Sequence, residues 1–437
     1  MFFPRGGSAH VARALAEALP ATGWDVTVLS GSLGGGGIGD ARRFYAGLDV
    51  RPVDFTAGEA PMHPSYEDRP GAPDPVFAAV DDAAYEGHVA AWAAALERAG
   101  AASFDVLHLH HLTPLHEAAA RVAPDVPVVA HLHGTELLML ERIAGGAPPG
   151  WTHADAWAAR LRGWAGRARR VVLLSASQRA RVERLLGADV AARCVVSPNG
   201  FDPEGFAPRP VDRAAHWHEH LVAHPRGWRP GEPEGSVRYT DAEIAPLRDG
   251  PVLLTVGRFT EVKRMGLLVR AFARARRESG RPAALVLLGG HPGEWEGEHP
   301  YDAIRAAGAD GVFLAGWHEH DVLPAFLNAA DATVLASVRE QFGLVLVEGM
   351  ACGRPAIAVD RFGPAEIVGA GRTGWLVEPD DEASLAAALR EAIERPDEVA
   401  RRGALAREVA LQRWSWPALA ARLGGVLADA AADRPRP

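Results

Sequence analysis

The sequence predicts an α/β protein built from two doubly wound, Rossmann-like halves, and three observations carry that expectation. Short β-rich apolar runs alternate with Ala-, Leu- and Arg-rich stretches over most of the 437 residues, as in parallel strands layered by helices. A second alternating series restarts at Pro251, after a stretch rich in Pro, His and Trp. The length also suits two or three domains of roughly 100–200 residues each.

In chain order, a helix over residues 9–19 follows the pair Gly6-Gly7, and strands are expected near 25–30, 105–110, 126–131, 170–174 and 194–197, with 177–186 helical. Only residues 1–5 precede the glycine pair, so the opening strand is expected to be truncated and the start set too far downstream. The first half is expected over residues 1–203, closing at the Asn199-Gly200 turn. The second half, 204–410, carries an inserted surface stretch near 207–250 and the strands PVLLTVG, AALVLLGG, GVFLAG, ATVLAS, PAIAVD and GWLVEP. Residues 411–437 are expected to form a final helix returning to the first half, with 434–437 frayed.

Composition excludes several function classes. With 46 basic against 55 acidic residues the chain carries a net charge of -9, against the phosphate-neutralising excess of a nucleic-acid binder. Only one of the 46 basic residues, Lys263, is a lysine, and asparagine occurs only at Asn199 and Asn328. A GC-rich genome spells these residues rarely, so a requirement is expected where they persist. Cys194 and Cys352 fit no metal spacing, which points to a reducing cytoplasm. No apolar run approaches the ~20 residues of a membrane span, and no signal-peptide pattern opens the chain.

Four segments carry chemistry. In VREQFGLVLVEGMACGRP, Glu340 lies in the loop after ATVLAS and Glu348 on the helix that opens near Phe342 or Gly343; in an open sheet both face the carboxyl ends of the strands, where ligands collect. In TVGRFTEVKRMG, Arg258 and Lys263 lie five residues apart at a strand end, which suits a diphosphate. Gly7 precedes a helix, where a bare backbone lets a phosphate approach. In VVAHLHGTE, His131 and His133 end a strand and Glu136 starts a helix; His133, before Gly134, is the better candidate for substrate contact.

Together, and in this order, these segments and the Ser-Pro-Asn-Gly turn resemble the retaining glycosyltransferases of family 4, the group 1 glycosyl transferases, over almost the whole chain. The resemblance implies the GT-B architecture, two Rossmann-like domains facing a central cleft. It implies a nucleotide-diphosphate sugar donor, with no cofactor and no metal, and a small-molecule or glycan or lipid acceptor. It places Arg258 and Lys263 on the diphosphate, Glu348 on the ribose and Glu340 over the transferring sugar. The amides of Phe342, Gly343 and Leu344 surround sugar and phosphates, Gly7 lies under the diphosphate, His133 touches the sugar, and Trp317 and His318 lie near the base.

Competing patterns weigh less. Gly34, Gly36 and Gly39 in GGGGIG match a dinucleotide fingerprint, which would make the protein an NAD-dependent oxidoreductase. The run begins beyond its strand and precedes only a short helical stretch. HWHEH, with His216, His218, Glu219 and His220, reads as a solvated helix rather than a zinc set, and His108, His110 and His111 as strand-end packing. Arginines 160, 162, 167, 169 and 170 could touch an acidic membrane, but a solvated face is the default. A nucleotide-sugar epimerase or a phosphorylase on the same fold is the alternative activity.

Overall fold

The computed structural model of the chain describes residue 4 and residues 7–37, 39–57, 61–66, 74–340, 342–369 and 371–432. The expectations about a truncated opening strand, Gly6 and a frayed 434–437 fall largely or wholly outside them. The chain folds as two units, Met1–Asn199 with Trp416–Pro437, and Gly200–Ser415.

In the first unit, helix α1 (Gly7–Ala18) buries Ala9, Val11, Ala12, Leu15 and Ala16, the one-sided spacing of an amphipathic helix. Strand β1 (Thr27–Ser32) pairs in parallel with β2 (Asp49–Asp54). That second strand, DVRPVD, escaped the sequence reading because its proline and exposed positions look like loop, which an edge strand tolerates. A separate parallel sheet runs β3 (Leu107–His110), β4 (Val128–His131), β5 (Arg170–Leu173) and β6 (Cys194–Val196). Helix α2 (Thr135–Ala144) follows β4. The glycine run after β1 is a turn leading into a four-residue helix, Ala41–Phe44, without the long helix that a dinucleotide fingerprint needs.

The second unit holds one six-stranded parallel sheet in the order β12-β11-β10-β7-β8-β9, formed by β7 (Val252–Val256), β8 (Ala284–Leu288), β9 (Val312–Gly316), β10 (Ala332–Leu335), β11 (Ala356–Val359) and β12 (Gly374–Val377). Every residue of β8 to β11 is buried, as befits strands covered on both faces. Helix α3 (Met265–Ser279) follows β7, and α4 (Leu344–Ala351) follows β10. Helix α5 (Trp416–Ala432) belongs to the first unit, where Ala420, Leu423 and Leu427 pack with Val11 and Leu15 of α1 and with Val129 and Val172.

Two features add to the sequence reading. The connection near 207–250 is not only surface decoration, because its Trp217 and Trp228 are fully buried, and the Trp228 indole donates to the Gly290 carbonyl at 3.1 Å. Asn328 has a visible job. Its Oδ1 accepts from the Arg209 amide at 3.0 Å, while its Nδ2 donates to the carbonyls of Ala207 and Pro324 at 2.9 Å each. A carboxamide supplies donor and acceptor together, so one side chain ties the incoming connection to the helix Leu323–Ala329.

Candidate functional site

The strand order of the second unit reverses between β7 and β10, with β8 and β9 on one side and β11 and β12 on the other. At such a switch point adjacent crossovers diverge to opposite faces and leave a crevice beyond the carboxyl ends of the strands. The loops after β7 and β10 carry Arg258 with Lys263 and Glu340 respectively. They are joined by a backbone bond from the Val338 amide to the Val262 carbonyl at 3.0 Å. Lys263 Nζ donates to Glu340 Oε2 at 2.5 Å, with both side chains about four-fifths covered. The lysine stem lies over Gly257, 3.5 Å from where a Cβ would stand. Arg258 is exposed, and its guanidinium has no hydrogen bond or ion pair among the described residues.

Phe342 and Gly343 are buried at the entry to α4, Gly343 with a left-handed φ of 95°, and Leu344 opens the helix. The α4 N-terminus, with its unpaired amides and positive dipole end, therefore adjoins Glu340. Arg264, directly after Lys263, is one of four non-glycine residues with positive φ among those described. Its guanidinium holds Asp380, another of the four, at 2.5 Å. Strained backbone is thus gathered beside this loop.

Glu348 lies inside α4, 3% exposed, and accepts a hydrogen bond from His320 Nε2 at 2.7 Å. His320 was missed by the sequence reading, which favoured Trp317 and His318 in the same loop. Trp317 is 40% exposed, whereas His318 turns inward, its Nε2 bonded to the Ala315 carbonyl at 3.2 Å and its ring against Phe326 and His220. Burial pushes the His318 imidazole down to about 4. Ser337, just past β10, was also missed; its buried hydroxyl has no hydrogen-bond partner among the described residues.

The bond to Glu348 raises the His320 imidazole above its ordinary 6.5. Because the folded value exceeds the unfolded one, the pair's stabilisation is complete below pH 6.5 and is lost as pH rises through the raised folded value. His320→Gln is therefore expected to depress the melting temperature more at about pH 6 than at about pH 8. An equal deficit in melts at both would overturn this.

In the first unit, His133 follows β4, its Nε2 bonded to His110 Nδ1 at 3.0 Å. Its backbone amide donates to Glu136 Oε2 at 3.2 Å, and Glu136, fully buried, also receives His111 Nδ1 at 2.6 Å. Burial holds His133 well below its usual range, and the neighbouring His111 adds to the effect. Gly7 is the first residue of α1, with open space where a Cβ would stand. Three of the five arginines read as a possible membrane patch have intramolecular partners: Arg160 with Asp82, Arg162 with the Leu185 carbonyl, and Arg167 with Glu117 at 2.6 Å. No described helix is long and apolar enough to cross a membrane. In HWHEH, His218 bonds Asp241 at 2.8 Å and His216 packs on Phe326.

Comparison with known proteins places both halves. The family model described as Glycosyltransferase Family 4 matches residues 5–204, and that described as Glycosyl transferases group 1 matches residues 240–409. The chain is 28% identical over 321 residues to a glycogen synthase of Mycobacterium tuberculosis, covering 72% of the chain and 66% of that protein. It is 30% identical over 270 residues to D-inositol 3-phosphate glycosyltransferase 2 of Catenulispora acidiphila, covering 60% and 57%. The chain thus spans less than two thirds of these relatives' own lengths. Among solved structures, sucrose-phosphate synthase from Thermosynechococcus elongatus shares the fold with a TM-score of 0.68 at 22% identity, over 99% of this chain and 95% of that one. Anabaena Alr3699/HepE, solved with UDP and glucose, gives 0.65 at 18% identity over 97% and 96%.

Proposed function

From the premise that the chain belongs to the group 1 glycosyltransferases, with the two-domain GT-B fold, we propose that it moves a sugar from a nucleotide-diphosphate donor to an acceptor hydroxyl, with retention and without a metal. The observation that carries this reading is the meeting of Lys263 and Glu340 at the switch point between β7 and β10. Departure of a nucleoside diphosphate needs its growing negative charge offset at the moment the glycosidic bond breaks. A lysine, an uncommitted arginine and a helix N-terminus, all fixed before substrate arrives, supply that offset without reorganisation.

On this reading Arg258 and Lys263 hold the diphosphate, and the amides of Phe342, Gly343 and Leu344 receive phosphate and sugar oxygens. Glu340 gives up Lys263 to the donor and turns to the sugar hydroxyls. Glu348, oriented by His320, accepts from the ribose hydroxyls. Trp317 offers an exposed indole for the base. Retention follows if the acceptor attacks the face that the diphosphate leaves, with the departing phosphate oxygen taking the hydroxyl proton; no protein base is then required. The two buried free thiols, Cys194 and Cys352, fit a reducing cytoplasm.

Donor binding is tested by melting the protein with uridine, guanosine and adenosine diphosphates and their sugars, UDP-glucose first because it accompanies HepE in a solved structure. A ligand at 100 times its Kd stabilises by about 2.7 kcal/mol, so a clear upward shift is expected with one base series. No shift with any of them would overturn the donor site.

A further inference from the structure

Three histidines in the first unit form a cluster to which the transfer reaction assigns no role. His108 and His110 are two apart on β3, so their side chains leave the same face of the sheet, and His131 sits opposite His110 in the register of β4. The rings are stacked or tilted against one another, with centroids 4.6 Å apart for His108–His110, 5.3 Å for His108–His131 and 4.9 Å for His110–His131. One nitrogen from each lies within 4.8 Å of the others. His108 Nε2 and His131 Nδ1 are 3.2 Å apart, the spacing of two nitrogens bound to one ion at about 2.0–2.1 Å in a tetrahedral shell.

A neutral imidazole offers one donor and one acceptor, and His108 and His131 share a single contact through one nitrogen of each ring. Strands β3 and β4 thus hold three nitrogen ligands within reach of one another. We propose that His108, His110 and His131 form a binding site for a divalent transition metal ion, zinc above all. Three imidazoles are a zinc donor set that leaves a fourth position open. This departs from reading HLHH as strand-end packing alone. It also places the ion one hydrogen bond from His133, through His110.

Cobalt is the probe, because tetrahedral imidazole coordination gives it visible absorption far more intense, and at longer wavelength, than the weak band of the aqueous ion. Chelator-treated full-length protein is expected to develop that absorption with one equivalent of Co2+ and to lose it on adding Zn2+. His108→Leu, checked for a native circular dichroism spectrum, is expected to weaken binding by more than the roughly 10–100-fold that outer-sphere partners cost. His108→Gln provides a second, polar variant with the same expectation. The double variant His216→Ala, His220→Ala removes a close histidine pair of the second unit and is expected to bind normally. Absent absorption, binding that survives both His108 variants, or binding lost in the double variant would each overturn the site.

Discussion

Lys263→Ala is expected to lower kcat/KM for sugar transfer by about 10²–10³-fold, the loss seen when one preorganised charge-stabilising group is removed, while the melting temperature barely moves. The two halves of the expectation rest on different facts. Lys263 stands at the switch point with its ammonium 2.5 Å from Glu340, where the departing diphosphate develops charge on the proposed mechanism. Each side chain keeps about a fifth of its surface in water, so the pair's worth lies between that of an exposed pair, about 1 kcal/mol or less, and that of a buried one, and the stability loss is expected to be small beside the loss in rate. Steady-state kinetics beside a thermal melt separates the two. Lys263→Arg is not expected to restore activity, because a planar guanidinium cannot replace a compact ammonium whose stem lies over Gly257. Full turnover by the alanine variant would remove Lys263 from the mechanism.

Glu136→Ala is expected to cost about 3–5 kcal/mol of stability, because it strips a fully buried carboxylate from its partners. Glu136 binds His111 Nδ1 at 2.6 Å and the His133 amide at 3.2 Å, tying the end of β3 to the entry of α2. His111 has a left-handed φ of 61°, so the carboxylate also helps to hold a strained backbone. For a unit of this size the loss corresponds to a melting temperature roughly 6–20 °C lower. Glu136→Gln keeps an acceptor for the amide and is expected to lose less. Calorimetry of the three proteins decides it, and an alanine variant that melts with the wild type would sink this account.

Much of the second unit was legible because the signals are local. Each buried parallel strand is a continuous apolar run, and Lys263 stands out against a background of arginine. Glu340 and Glu348 could be assigned to a loop and its following helix from spacing alone. The remainder depends on partners far apart in sequence. His320 meets Glu348 across 28 residues, and Asn328 meets Ala207 across 121; no periodicity announces either. Trp217 and Trp228 lie in polar surroundings that read as surface, and only the folded sheet shows the space they fill. Gly34, Gly36 and Gly39 illustrate the opposite error that a short pattern invites, because the helix behind them is a single turn.

The reversal of strand order between β7 and β10 also has a temporal consequence. Lys263 and Glu340 are 77 residues apart along the chain, and β8 and β9 intervene before β10 is made. Closing so long a loop is entropically costly and is repaid only when the distant strands pair. The crevice therefore cannot be complete until β10 has been made and has paired with β7. A nascent chain that has emerged only as far as β9 has its cations but nothing to hold them in place.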